Sequence, residues 1–173
     1  MAILDRKNKV QKGITISEIE GMLHSRTKYC IIMDADFQHP CELVRNIARE
    51  LKKGNMLVIA TRRHTINWEL HRKIASEIVK KIGIALLILN NKHPSNDPFS
   101  GFFGIECIFF RELWKQNNNL FLEGRLMFEI LKRVDRSTKI KDVPYVFRSR
   151  DIGVSKMGIR QGIAIFKSYF IWG

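Results

Sequence analysis

Asp34 and Asp36 stand two residues apart where an apolar run, Tyr29 to Met33, gives way to polar residues, and Gln38 follows two further on. Side chains at i and i+2 of a strand share a face, so both carboxylates point the same way as the strand ends. Two like charges this close are costly unless a cation sits between them. Hard oxygen donors of this kind suit Mg2+ or Mn2+. An isolated Asp-x-Asp also marks an ordinary strand end or a helix N-cap, so its meaning depends on what else the chain places nearby.

Other polar groups recur where apolar runs end. Arg62 and Arg63 close a second run; Arg72 and Ser76 are spaced to share one helical face; Asp97 and Ser100 precede Gly101; Arg148, Arg150 and Lys156 lie in the last polar loop. If parallel strands gather these ends, carboxylates and a cation face a basic cluster. That set can move a group between two phosphates, the metal on one and the arginines on the other. Each arginine taken singly is ordinary surface charge.

The elements that must position these residues are legible in outline. Residues 14–26 suit a short helix, with Ser17 as cap and Glu20 three residues on. The Asp36 strand follows. "PCELVRNIARELKKG" is an amphipathic helix with Pro40 at its start, Leu43, Ile47 and Leu51 on one stripe, and Gly54 as its stop. "NMLVIATRR" is a second buried strand, which makes a parallel βαβ unit. "NWELHRKIASEIVKKIGIALLILNN" reads as one long helix or two, its apolar latter half either deeply buried or against lipid. "KHPSNDPFSGFFGIECIFF" is a loop running into an apolar strand, "LEGRLMFEILKRV" a helix, and "TKIKDVPYVFRSR" a strand whose Pro144 suggests an edge or a bulge. The final "IRQGIAIFKSYFIWG" is amphipathic and suits either a membrane-interfacial helix or a core-packing one.

Composition narrows the partners. The chain has 173 residues, 45% hydrophobic and 27% charged, enough for one ordered domain. Lys+Arg 30 against Asp+Glu 17 gives +13 and favours an anionic partner or surface. Nucleic acid is disfavoured: the basic residues are scattered, and no helix-turn-helix, RNP or zinc-finger pattern is present. Cys30, Cys41 and Cys107 lack CxxC spacing and read as reduced thiols, Cys30 and Cys107 within apolar runs. The first residues lack a signal-peptide pattern and no apolar run reaches membrane-spanning length, so a reducing, cytoplasmic setting is expected.

In order, "IIMDADFQHP", "VIATR", "RKIAS", "DPFSGFFG", "FEILKR", "KDVPYVFRSR" and "RDIGVSK" resemble the dolichol-phosphate mannosyltransferase type of inverting glycosyltransferase, over residues 28 to 157. The resemblance implies an α/β GT-A fold, a mainly parallel sheet with flanking helices. It implies a partial catalytic domain over 1–157 and an amphipathic helix over 158–173. It places Asp34 and Asp36 at the donor diphosphate, Asp36 first among the metal ligands, with Gln38 as a further ligand or orienter and Lys156 nearby. Arg62, Arg72, Ser76 and Arg150 would hold the acceptor phosphate, Arg150 and Lys156 on a closing loop; Asp36, Arg72 and Arg150 form the catalytic set. Asp97, Ser100 and Glu129 match too, with loop and sheet support as alternative roles. The acceptor phosphate is itself a competent nucleophile, so no general base is required.

What the resemblance implies is transfer of a hexose, mannose foremost, from GDP-mannose or UDP-glucose to a polyprenyl (dolichyl) phosphate, with Mg2+ or Mn2+, on the cytoplasmic side of a membrane as a peripheral protein. The family's first strands, which cradle the nucleotide, have no counterpart here; "NKVQKGITISEIEGM" loosely stands for the glycine-rich region after them. A separate chain supplying that half is one expectation. Transfer of glucose or another hexose is an alternative, as is an inactive membrane-surface or partner-binding module.

Overall fold

The structure, a computed structural model, describes residues 13–35, 38–65, 70–117 and 125–147; the side chains of residues 64–65 and 70–72 fall outside that description. Helix α1 spans Ile14–His24 and buries Ile19 and Met22. Its N-cap is Gly13, so Ser17 does not cap it, contrary to the sequence expectation. The helix begins four residues earlier, and the Ser17 hydroxyl instead donates back to the Gly13 carbonyl at 2.9 Å.

Strand β1 (Tyr29–Ile32) leads through the Asp34 turn to α2 (Leu43–Lys52), whose Leu43, Ile47 and Leu51 form the expected buried stripe. Gly54 follows at φ +93°, a left-handed position where only glycine is unstrained, and it ends the helix. Strand β2 (Leu57–Thr65) precedes α3 (Leu70–Leu89), a single 20-residue helix. Strand β3 is short, Phe103–Glu106, and α4 (Cys107–Asn117) begins at once. The expected strand through Phe110 therefore stops early. Cys107, Phe110 and Leu113 are buried at a spacing of three, a helical face that a run of apolar residues conceals. Helix α5 (Leu126–Arg133) and strand β4 (Ile140–Phe147) complete the described chain.

The sheet order is β1-β3-β2-β4. β3 lies antiparallel between β1 and β2, and β4 runs parallel to β2. Three of the four strands thus share one direction, but the two strands of the βαβ unit are separated by β3. Pro144 sits opposite Thr61 on β4, the outer strand among the described residues, where a missing N–H is tolerated.

Alternation along β2 divides the core between the two faces of the sheet. Leu57 and Ile59 join α1, α3, α4 and α5 on one face, around Phe99, Phe103, Ile105, Phe110 and Phe128. Val58 and Ala60 pack with Phe102, Tyr145 and Phe147 under α2 on the other. Covering both faces is what makes the first part of β2, residues 57–60, an unbroken apolar run. Glu129 is buried on α5, with Arg133 Nη1 at 2.6 Å from one oxygen and Lys132 Nζ 3.0 Å from the other. The cysteines are free, as expected; Cys107 is buried, Cys30 half-buried and Cys41 exposed. The Cys30 and Cys107 sulfurs lie 3.0 Å apart, and burial pushes the Cys30 thiol up to about 11. No helix among the described residues is long and apolar enough to cross a membrane.

Helix α2 packs closely against β3 at Gly104. A Cβ added at Gly104 would collide with Ile47 Cγ2 and lie 2.8 Å from Leu51 Cδ1. Gly104→Ala is expected to destabilise the fold by about 1–3 kcal/mol in urea unfolding, by overpacking. Gly21→Ala, whose Cβ meets nothing within 4 Å in α1, is expected to be neutral or stabilising by about 0.5–1 kcal/mol. Equal effects at the two positions would contradict this packing.

Candidate active site

β1, β2 and β4 run in one direction, so their carboxyl ends lie at one edge of the sheet, where α/β proteins bind ligands. Asp34 follows β1 with its side chain 43% exposed, and Gln38 is buried just past the turn. Asp36 lies outside the described residues.

Arg62, in the second half of β2, reaches across to the loop after α3. Its Nε donates to Asp97 Oδ2 at 2.7 Å and its Nη2 to Oδ1 at 2.9 Å, a two-pronged pair on a fully buried carboxylate. Burial opposes the charge on Arg62, but the Asp97 hydrogen bonds and charge raise its pKa above the ordinary value, with smaller contributions from Tyr145 and Glu77. The Phe147 ring lies 5.8 Å from the guanidinium carbon. Arg62 therefore has an internal partner that its position in the sequence does not reveal. Arg63, its neighbour, is exposed.

The loop that supplies Asp97 is itself tied down at both ends. The Ser95 hydroxyl, the Asn96 backbone N–H and the Asn96 amide donate to Asp142 of β4 at 3.0, 2.8 and 2.7 Å. Ser100 donates to the Ala60 carbonyl at 2.6 Å. Asp97 and Ser100 thus serve as loop and sheet support. Gly101 comes next, and a Cβ there would stand 3.3 Å from Asp34 Oδ2. Through this one loop the Asp34 end of the sheet and the Arg62 end are brought side by side.

Helix α3 enters the same neighbourhood. Its residue Glu77 acts electrostatically on Arg62, and the half-buried Ser76 is the residue before it. Arg72 lies one turn earlier in α3, with its side chain outside the described set. Arg148, Arg150, Lys156 and the helix expected over 158–173 also lie outside the described residues.

Two residues that sequence reasoning did not single out belong here. His39 Nε2 lies 3.7 Å from Asp34 Oδ2. Glu18 on α1 is pushed up to about 7, mainly by burial and then by the charge of Asp34, with Arg125 pulling the other way. A carboxylate whose field raises a neighbouring acid is a place where a divalent cation would relieve repulsion, and the hard oxygen of Asp34 is of the kind that suits Mg2+ or Mn2+. Among the described residues alone, no three of His, Cys, Asp or Glu converge on one point. The signal for His39 was its place directly after Gln38; Glu18 carried none.

Asp97→Ala is expected to cost about 3–5 kcal/mol of unfolding free energy, because it strands a half-buried guanidinium. The apolar pair Arg62→Met with Asp97→Leu should recover most of that loss, and a double variant no better than the single one would contradict the pairing. Glu18 binds its proton more tightly when folded than when unfolded. Its contribution is therefore present at low pH and lost as pH rises from about 4.5 through about 7. In metal-free protein, Glu18→Gln should remove that decline in stability; an unchanged pH profile would contradict the burial of Glu18 beside Asp34.

The chain has relatives. The family model described as glycosyl transferase family 2 matches residues 3–114. Similar curated proteins are dolichol-phosphate mannosyltransferases. That of Mycosarcoma maydis is 30% identical over 164 residues, covering 91% of this chain and 52% of the relative. That of Pyrococcus furiosus is 27% identical over 161 residues, covering 91% and 43%. That of Saccharomyces cerevisiae is 26% identical over 157 residues, covering 85% and 55%. The chain thus spans about half the length of the curated relatives it matches. With a family match over more than half of its residues, the chain belongs to glycosyl transferase family 2.

Proposed function

We propose that this chain carries part of the machinery that transfers a hexose, mannose foremost, from a nucleoside diphosphate sugar to a polyprenyl phosphate of the dolichyl type, with inversion at the anomeric carbon. The observation that carries the reading is the single loop that ties Arg62 through Asp97 and lays Gly101 against Asp34. It sets a carboxylate end for a diphosphate beside a cationic end for a second phosphate.

In this reading Asp34, Asp36 and Gln38 would hold Mg2+ or Mn2+ together with the donor diphosphate. When bound, the cation neutralises charge on the diphosphate. Asp97 grips Arg62 by the Nε and Nη2 edge, so the guanidinium is held in place and Nη1 would be the group left for a phosphate. Arg72 and Ser76, one turn apart on α3, and Arg150 would complete the acceptor cradle, with Lys156 on the donor side. The acceptor phosphate oxygen attacks the anomeric carbon as the bond from that carbon to the donor diphosphate breaks and the nucleoside diphosphate leaves; the enzyme's share is positioning and charge compensation.

A lipid acceptor agrees with the outer face of α3. Ile74, Ile78, Ile82 and Leu89 are exposed along one stripe of that helix, with the exposed Lys81 at its border. An exposed apolar stripe, on a chain of net charge +13, suits the surface of an anionic membrane on its cytoplasmic side. β1 is the other outer strand among the described residues, and its open edge is where nucleotide-binding strands from a separate chain, or from elsewhere in a longer protein, would add.

The test is transfer of labelled sugar from GDP-mannose, and separately from UDP-glucose, to a polyprenyl phosphate in detergent, with Mn2+ or with EDTA. Transfer from GDP-mannose that EDTA abolishes is expected. Asp36→Ala should lower it by about 100-fold while leaving vesicle binding intact. A folded protein that binds vesicles yet transfers neither sugar, with or without a chain supplying the additional strands, would contradict the proposal and leave a membrane-binding module.

A further inference from the structure

His39 occupies an unusual place for a residue one position removed from a proposed metal ligand. Its ring is buried in an aromatic box, with ring centroids 5.0 Å from Phe102, 5.5 Å from Phe147 and 5.7 Å from Tyr145. Its two nitrogens address two different strands. Nδ1 lies 3.0 Å from the Tyr145 hydroxyl on β4, and Nε2 lies 3.7 Å from Asp34 Oδ2 after β1. Tyr145 is in turn the register partner of Arg62, and Phe147 lies against the Arg62 guanidinium. The imidazole therefore stands between the carboxylate end of the site and the strand beside its arginine end.

The direction of these contacts follows from electrostatics. A phenol hydroxyl can donate or accept, so Tyr145 alone does not decide where the ring proton sits. Asp34 does decide it. A carboxylate facing a bare ring nitrogen sets lone pairs against each other, whereas an Nε2–H turns the contact into an attraction. With the proton on Nε2, Nδ1 accepts from Tyr145 and every polar atom of the ring is used. At 3.7 Å the Nε2–Oδ2 separation is longer than a hydrogen bond. The half-exposed Asp34 side chain needs only a small swing to close it.

We propose that His39 is a positioning residue for Asp34, oriented by Tyr145, so that the line Tyr145–His39–Asp34 fixes the carboxylate relative to the strand that flanks Arg62. Its consequence for metal binding rests on the reading of Asp34 as a donor-side ligand; its geometry does not. Partners that orient a ligand from behind commonly change metal affinity by about 10-fold or more when removed.

Two measurements on the full chain test it. The first is the 15N spectrum of the histidine ring in metal-free protein. His39 should show a protonated Nε2 and an accepting Nδ1, a signature that Tyr145→Phe, which keeps the ring and loses only the hydroxyl, should weaken. The second is Mn2+ affinity followed by the electron paramagnetic resonance of the free ion. Affinity should fall about 10-fold in His39→Asn, whose amide reaches only the Nδ1 position. It should be largely retained in His39→Gln, whose amide reaches the Nε2 position. An Nδ1-protonated ring in the wild type would overturn the proposal, as would unchanged Mn2+ affinity in His39→Asn when the wild type binds the ion. An Nε2-protonated ring whose Nδ1 hydrogen-bond shift is lost in Tyr145→Phe, in a protein that binds no Mn2+, would support the positioning and remove the metal reading alone.

Discussion

A buried carboxylate must be matched by charge, and in this protein Asp97 is matched by Arg62. The pair joins the second half of β2 to a loop 35 residues later in the chain, with both prongs of the guanidinium engaged. Desolvating an unpaired carboxylate would cost several kcal/mol, on the order of what one domain's whole stability amounts to. The loop therefore has little freedom to sit elsewhere. Once it is set, Ser100 reaches the Ala60 carbonyl, Phe99 packs against Gly83 of α3, and Gly101 comes up against Asp34. The site and the core are assembled by the same contact.

That economy has a consequence for the chemistry. In the proposed reading Arg62 receives a mobile phosphate, and ordering a freely rotating side chain at that moment would add an entropy cost to each binding event. Holding Arg62 from behind, with Asp97, removes most of that freedom beforehand. His39 stands to Asp34 as Asp97 stands to Arg62: a buried polar group beside a more exposed charged side chain. The aromatic box of Phe102, Tyr145 and Phe147 lies between the two pairs and supplies the dry, rigid surroundings in which such contacts are strong.

What was legible in the sequence was local. The stripe Leu43, Ile47, Leu51 announces α2, Gly54 its end, and the unbroken apolar run of β2 a strand buried on both faces, because each signal depends on a few neighbouring residues. The end of β1 before Asp34 was legible for the same reason, whereas β2 runs on past Arg62 and Arg63 to Thr65, where composition suggested a stop. Long-range pairing was not. Nothing near Phe103 says that β3 runs antiparallel between the strands of the βαβ unit, and nothing near Arg62 names Asp97 as its partner. Ser17 met the rule for a cap but lay inside a helix that Gly13 had already begun. The start of α4 was hidden because the apolar run "CIFF" has no polar residues to reveal its period. The role of His39 depends on a tyrosine 106 residues away.

The central claim is that the edge formed by the ends of β1, β2 and β4 is one site, with Asp34 at its cation end. The most direct measurement is the line broadening that substoichiometric Mn2+ causes in the 1H–15N spectrum of the protein. The account predicts that the amides of Asp34 and Gly101 and the His39 ring broaden first, that Arg62 follows, and that the Leu89 end of α3 stays sharp. Broadening that begins elsewhere, or that spreads evenly over the surface, would contradict it.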